Sequence, residues 1–324
     1  MAAGRVRALL RSRGAAAVAW AVVALIGAFA LIRMLGLERG FPLVPLMAFT
    51  PHAIGAAIVA VVVAALARRW VATVAAVAML AALVLPRAFS HAGEPPPGAV
   101  PLRVLTSNIL VGQANLDELA SLVRRERIDV LSVQELTPEA DRKLRRLIGD
   151  RLPHHAARAE PRTAGTGLYS RYPLRQRSAL AGGRTSFKMA RATMVVPSVG
   201  PVELAAVHPP PPTIGPAIVN WRHDLEALPR ADPDGRPTIL LGDFNATIDQ
   251  AELREVLDSG YVDAAYEAGK GLATTWPANR RFPPEVTIDH VLADERIAVV
   301  DVEIHELEGS DHRPVSAELA LPRY

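Results

Sequence analysis

Three uncharged, apolar stretches fill most of the first 86 residues. They are residues 14–32, 40–67 and 70–86, of 19, 28 and 17 residues, each closed by arginines. A helix needs about 20 apolar residues to cross a bilayer core. Runs of this kind predict three membrane helices at about 14–34, 47–67 and 70–86. In the second stretch Pro42, Pro45, Pro51 and His52 break the first half, which places its helix late. The third run is short and ends at Pro86. A cleaved signal peptide would also explain Arg5, Arg7, Arg11 and Arg13 ahead of the first run, but a soluble chain would then follow rather than two further apolar runs.

The arginines also set an expected topology. Four precede the first helix, and Arg68 and Arg69 separate the second from the third, while Arg33 and Arg39 lie in the loop between the first two. The positive-inside rule puts the N-terminus in the cytoplasm, and three crossings deliver the rest of the chain to the outer side. The expected localisation is therefore a multi-pass cell-membrane protein with an extracytoplasmic C-terminal domain. The absence of cysteine is compatible with that oxidising side, and it removes thiolate metal sites and cysteine nucleophiles. Residues 1–86 read as the membrane domain. Residues 87–100, with Pro95, Pro96 and Pro97, read as a stiff linker to a domain at 101–324.

The net charge of +3 misleads unless it is divided. Residues 1–100 hold nine arginines and two glutamates, or +7, which leaves 27 basic and 31 acidic residues, or −4, for the remainder. A nuclease reading no particular sequence gains from a basic groove. The acidic balance argues against nucleic acid as the partner.

From Leu102 onward, strand-like and helix-like segments alternate. Strands are predicted at Leu102–Asn108, Ile128–Val133, Gly167–Ser170, Ala192–Val196, Val202–Val207, Thr238–Leu241, Thr287–Leu292, Ile297–Ile304 and Val315–Leu319. Helices are predicted after Asn115, after Thr137-Pro138, over 215–229 and over 249–258. Polar groups recur where these strands end: Asn108, Glu135, His208, Asp243 with Asn245, Asp289, and Asp311-His312 before the last strand. One such residue is ordinarily a turn former. Six in one α/β domain point to a cleft at a sheet edge. Oxygen donors of this kind suit Mg²⁺, Mn²⁺ or Ca²⁺ rather than zinc, and adjacent His and Asp can activate a water and protonate a leaving oxygen. Phosphoester or phosphoanhydride hydrolysis is the reaction class that uses this set.

Seven ordered segments carry a specific resemblance. They are Leu105-Thr106-Ser107-Asn108, Asp129 to Glu135, Gly167 to Leu174, Val207-His208, Gly242-Asp243-Phe244-Asn245, Ile288 to Leu292, and Ser310 to Val315. Residues 101–324 resemble the endonuclease/exonuclease/phosphatase superfamily. That resemblance implies a four-layer α-β-β-α sandwich and Mg²⁺ as cofactor, with Mn²⁺ as the alternative. It implies metal ligation by Glu135 with Asn108 and Asp311, and water activation and phosphate holding by Asp243 and Asn245. His312 would contact the scissile phosphate with its ring fixed by Asp289, and His208 would bind phosphate or protonate the leaving group. The abasic-site branch carries an acidic residue shortly after the first asparagine, where this chain has Ile109 and Leu110. Arg191, Arg222 and Trp276 are further candidates for substrate binding, with packing or solvated faces as equally good explanations.

Three N-terminal apolar runs ahead of such a domain resemble the VanJ-type membrane proteins associated with glycopeptide resistance in actinobacteria. That likeness implies a lipid-linked phosphate of cell-wall synthesis as substrate, undecaprenyl pyrophosphate above all, and the bilayer itself as partner. No protein partner follows from the sequence. The alternatives are a membrane-anchored extracellular nuclease, a phosphodiesterase of the phospholipase or sphingomyelinase kind, and a non-catalytic membrane protein with a relict site.

Overall fold

The computed structural model describes residues 13–84, 95–178, 180 and 185–323. It divides into two compact units, Met1–Phe89 with Asp249–Ala251, and Ser90–Ile248 with Glu252–Tyr324.

The first unit is helical: α1 (Arg13–Met34), the short α2 (Leu43–Met47), α3 (Thr50–Leu66) and α4 (Trp70–Val84). At 1.5 Å per residue, the 22 residues of α1 reach about 33 Å, against a hydrocarbon core of ~30 Å. The 17 residues of α3 and 15 of α4 reach only about 26 and 22 Å. The expectation of three full-length crossings is therefore corrected: one helix has spanning length, and two shorter apolar helices follow it. The proline-rich segment is the cause. Met47, expected to open the second span, instead ends α2, and Pro51 sits in the first turn of α3. Arg68, with φ +56°, ends that helix in the left-handed region. The last two residues of the third predicted span, and residues 87–94 of the predicted linker, lie outside the described residues. Ala30, Ala57, Ala64, Ala72 and Ala76 are buried in this unit together with Ile26, Met47 and Leu83, while Leu25, Leu66 and Val71 face outward.

Two six-stranded mixed sheets build the second unit. The first runs in the order β11-β12-β1-β2-β4-β3 and the second β5-β6-β7-β8-β10-β9. The strands are β1 (Val100–Asn108), β2 (Val130–Gln134), β3 (His154–Arg158), β4 (Thr166–Ser170), β5 (Leu174–Gln176), β6 (Arg191–Val196), β7 (Gly200–Val207), β8 (Thr238–Asp243), β9 (Tyr261–Asp263), β10 (Asp289–Asp294), β11 (Ala298–Ile304) and β12 (Val315–Leu321). Each sheet has one parallel pair at its centre, β1 with β2 and β7 with β8, and every other pairing is antiparallel.

Alternation along β1 and β2 explains the layering. Leu102, Val104 and Val130 point into a core shared with Met194, Leu204, Ile239, Leu241 and Val291 of the second sheet. Their neighbours Leu105, Leu131 and Val133 point the other way, onto α5 (Leu116–Arg125) and α6 (Pro138–Ile148). Those helices start as their sequences ask: Asn115 caps Glu118 N–H at 3.2 Å, and Thr137 caps Ala140 N–H at 3.2 Å ahead of Pro138. α7 (Gly215–Glu226) buries Trp221, whose indole N–H donates to the Phe244 carbonyl at 3.2 Å. A buried polar ladder links the sheets: Thr106 donates to Gln134, Gln134 to Ser132 Oγ, and Ser132 to the Leu241 carbonyl. Two further helices, α8 (Ala251–Leu257) and α9 (Ala264–Glu267), flank β9 in sequence.

Candidate active site

The two central parallel pairs end at the same edge of the sandwich. β1 ends at Asn108 and β2 delivers Glu135, while β7 delivers His208 and β8 ends at Asp243. Asp289, first residue of β10, lies directly opposite Asp243 in antiparallel register. The turn before β12 brings in Asp311 and His312, beside Thr106 of β1, which pairs with Val315. Seven expected residues thereby meet, although they come from six separate segments.

Asp243 is the centre of the cluster. Its Oδ1 accepts the Asn245 N–H at 2.8 Å, and its Oδ2 accepts Asn108 Nδ2 at 3.1 Å. His208 Nε2 and His312 Nε2 lie 3.6 and 3.7 Å from the same Oδ2. Burial pushes the Asp243 carboxyl up to about 7, against the pull of His312 and these donors. Asn245 holds a second bond, donating from Nδ2 to the Pro209 carbonyl at 3.0 Å.

His312 donates from Nδ1 to Asp289 Oδ2 at 2.9 Å, which turns Nε2 toward Asp243 and Asp311. Burial disfavours its charge, but Asp289 and Asp243 outweigh burial and hold the imidazolium up to about 10. Asp289 is placed by Thr275, whose Oγ1 accepts both the Ile288 and Asp289 N–H. His208 differs. Burial first, and the positive charge of His312 second, push it down to about 3, so it is neutral at pH 7.

Three carboxylates of the cluster carry metal-ligand capacity. Glu135 Oε2, Asp289 Oδ1 and Asp311 Oδ1 are buried oxygens without a hydrogen-bond partner. Buried carboxylate oxygens left bare are costly unless a cation meets them. Burial accordingly raises the Glu135 carboxyl above its ordinary value, with Asn108 and His312 opposing. This donor set fits a hard divalent ion. Asn108 stands differently from expectation: its oxygen accepts the Leu110 N–H at 3.0 Å, and its NH₂ faces Glu135 and Asp243. As placed it bridges two carboxylates rather than offering them an oxygen. Asp243, Asp289 and His312 also bring ligand atoms within 4.8 Å of one another, but the His312 ring is already committed to Asp289.

Backbone strain coincides with this edge. Glu135 (φ +57°) and Asn245 (φ +47°) both lie in the left-handed region, which costs a non-glycine residue about 1–2 kcal/mol. Gly242 is required for close approach: a Cβ there would lie 1.9 Å from the Val207 carbonyl oxygen.

The three substrate-binding candidates separate. Trp276 is at the site, donating from its indole nitrogen to Asp311 Oδ2 at 3.1 Å, with its ring 6.4 Å from that of His312. Arg222 is turned away and paired to Glu252 through Nε at 2.7 Å. Arg191 opens β6 opposite Ala205 and makes no described bond to the cluster. Sequence reasoning included Ser310 in its seventh segment but gave it no role; its hydroxyl donates to the Asn108 carbonyl and accepts the His312 N–H, tying the turn to β1. Thr275 was likewise given no role. The Ile288 and Asp289 N–H groups it accepts, and the Asn108 carbonyl that Ser310 reaches, are distant in sequence.

The sequence profile of the endonuclease/exonuclease/phosphatase family matches residues 105–312. An endonuclease/exonuclease/phosphatase from Beutenbergia cavernae is 20% identical, with 68% of this chain and 72% of that one covered at a TM-score of 0.52. Its counterpart from Bacteroides vulgatus is 18% identical, with 69% and 100% covered at 0.51. D. rerio TDP2, complexed with a single strand DNA product, is 16% identical, with 68% and 98% covered at 0.54. At these identities the likenesses speak to the fold. No curated protein matches the chain. With the profile covering well over half of its length and the fold agreeing, the chain belongs to the endonuclease/exonuclease/phosphatase family of phosphoester hydrolases.

Proposed function

We propose that this protein is a membrane-anchored, outward-facing Mg²⁺-dependent phosphohydrolase that removes phosphate from a lipid-linked pyrophosphate, undecaprenyl pyrophosphate being the substrate the sequence resemblance favours. The observation that carries the chemistry is the convergence on Asp243 Oδ2 of Asn108, His208 and His312, beside bare buried oxygens of Glu135 and Asp311.

Glu135 and Asp311 would hold the divalent ion, with Trp276 fixing the second oxygen of Asp311. Such an ion neutralises charge on the phosphate and on the leaving oxygen. Asp243, whose Oδ2 faces both histidines, takes the proton of the attacking water. The Asn245 N–H orients that carboxylate. His312, charged and steered by Asp289, presents Nε2–H to a phosphoryl oxygen as negative charge grows there. His208, neutral and buried, lines the pocket as a hydrogen-bonding group rather than a cationic acid.

Membrane attachment is supported by the spanning length of α1 and by the apolar exterior of the two shorter helices, where Leu66 is 72% and Val71 73% exposed. A buried stripe of alanines against an apolar exterior is the pattern of helices packed in lipid. The charge of −4 on residues 101–324 weighs against an extracellular nuclease. The test is substrate competition: the full chain in detergent should turn over a polyprenyl pyrophosphate in preference to plasmid DNA. Preference for DNA would overturn the lipid assignment and leave the hydrolase intact.

A further inference from the structure

Beside the catalytic cluster a nine-residue loop, 277–285, is closed at its base by the isolated bridge between Trp276 and Val286. The base is fixed: the Ala278 N–H donates to the Asp311 carbonyl, the Arg313 N–H to the Thr275 carbonyl, and the Trp276 indole to Asp311. The tip is the opposite. Phe282 is 82% exposed, the highest value among the described large apolar side chains. Arg280 and Arg281 next to it are exposed and have no carboxylate partner among the described residues; Arg280 lies over the Trp276 ring at 5.3 Å. The nearest acid in the loop, Glu285, is already taken by Arg313 and Thr274.

An exposed aromatic costs solubility and adds nothing to a fold. Flanked by two unneutralised arginines, it has the chemistry of an interfacial anchor, in which cations meet anionic headgroups and the ring enters the acyl boundary. Two more apolar side chains close in sequence to site residues are exposed: Leu272, four residues before Trp276, at 68%, and Ile214, six residues after His208, at 62%. A nucleic acid could also stack on Phe282. The spanning-length helix in the same chain favours lipid.

We infer that the 277–285 loop seats the mouth of the active site on an anionic lipid surface, with Phe282 inserting and Arg280 and Arg281 contacting headgroups. The inference deepens the lipid-phosphate reading and rests on it for its purpose. Because Trp276 joins the loop base to Asp311 and approaches His312, seating the tip would bring a bilayer-borne phosphate to the cluster without withdrawing its lipid tail far from the membrane.

The chain contains no cysteine, so Phe282→Cys gives one attachment point for an environment-sensitive fluorophore. Asp234→Cys, exposed and preceding β8 at the end away from Asp243, is the control. The full-length protein is placed in nanodiscs of anionic lipid, in nanodiscs of neutral lipid, and in detergent with a single-stranded oligonucleotide. The expected result is blue-shifted emission at 282, quenched by spin-labelled lipid and strongest on anionic lipid, with none at 234. Equal emission at both positions overturns the inference, as does a response at 282 to the oligonucleotide alone. In a second arm, Phe282→Ser should raise KM for a lipid pyrophosphate about ten-fold or more and leave a soluble phosphodiester unaffected. An unchanged lipid KM overturns the anchor. Insertion of the label with no lipid turnover by the unmodified protein supports the anchor and defeats only the substrate assignment.

Discussion

Glu135→Gln should raise the stability of the metal-free protein while abolishing its activity. Glu135 carries a buried Oε2 with no partner, Asn108 contacts its Oε1 at 3.4 Å, and burial raises its carboxyl against the opposing pull of Asn108, His312 and the Val111 backbone. The nearby Asp311 carboxylate disfavours its ionisation further. An orphaned buried acceptor costs about 1–3 kcal/mol. Replacing the carboxylate with an amide of the same shape removes the charge and keeps an acceptor for Asn108, so a gain of ~1–2 kcal/mol is expected. For a unit of this size that is a rise of about 2–8 °C in Tm. Divalent metal reverses the order: at a hundred times Kd a bound ion stabilises by about 2.7 kcal/mol, and the variant should receive little of it. The assay is thermal unfolding of both proteins in EDTA and across an Mg²⁺ series. A variant less stable than the parent in EDTA, or one that responds to Mg²⁺ as the parent does, would refute the claim that bare oxygens at Glu135 await a cation.

Other outcomes follow from the same geometry. Asp289→Asn should lower turnover by ~10²–10⁴-fold, because it unfixes the His312 ring and weakens support for its charge; the check is single-turnover kinetics with circular dichroism unchanged. Trp276→Phe should weaken metal affinity about ten-fold by freeing Asp311 Oδ2, measured by Mg²⁺ titration of activity. Gly242→Ala should cost ~3 kcal/mol or more, since its Cβ would meet the Val207 carbonyl at 1.9 Å; denaturant unfolding or loss of folded yield reads it. His290 is buried between Asp263 Oδ2 at 2.5 Å and the Ala246 carbonyl at 2.9 Å. Burial opposes its charge, but Asp263 raises its pKa above the unfolded value of about 6.5, so its contribution to stability is full below ~6.5 and is lost as pH rises through the folded value. His290→Ala should therefore destabilise the protein more at pH 6 than at alkaline pH.

The elements that position the site were legible because they repeat simple patterns. Alternation in Leu102–Asn108 and the cap-then-proline pair Thr137-Pro138 each have a local cause, and the structure places them as strand and helix. Short elements were not legible: β3 begins His154-His155, and β5 and β9 have three residues each, so their extension depends on neighbours already in the sheet. Thr287 and Ile288 were read into β10, yet that strand starts at Asp289; the Ile288 N–H donates to the Thr275 hydroxyl and its carbonyl accepts the Phe244 N–H. At the site, residue identity was readable and orientation was not. Nothing in Asn108 tells that its amide would turn NH₂ toward the carboxylates, or in Arg222 that Glu252, thirty residues on, would claim it. The left-handed backbone at Glu135 carries no glycine to announce it. In the membrane region the expected helix lengths failed, because apolar length was counted along the chain and prolines divide it differently in space.

The most direct test of the central claim is phosphate release from undecaprenyl pyrophosphate by the full-length protein in detergent, with and without Mg²⁺, beside Asp243→Asn and with a DNA duplex as competing substrate. The account predicts Mg²⁺-dependent release that disappears in the variant while the DNA stays intact. Release that persists without Asp243, or a lipid left untouched while the DNA is cut, would contradict it.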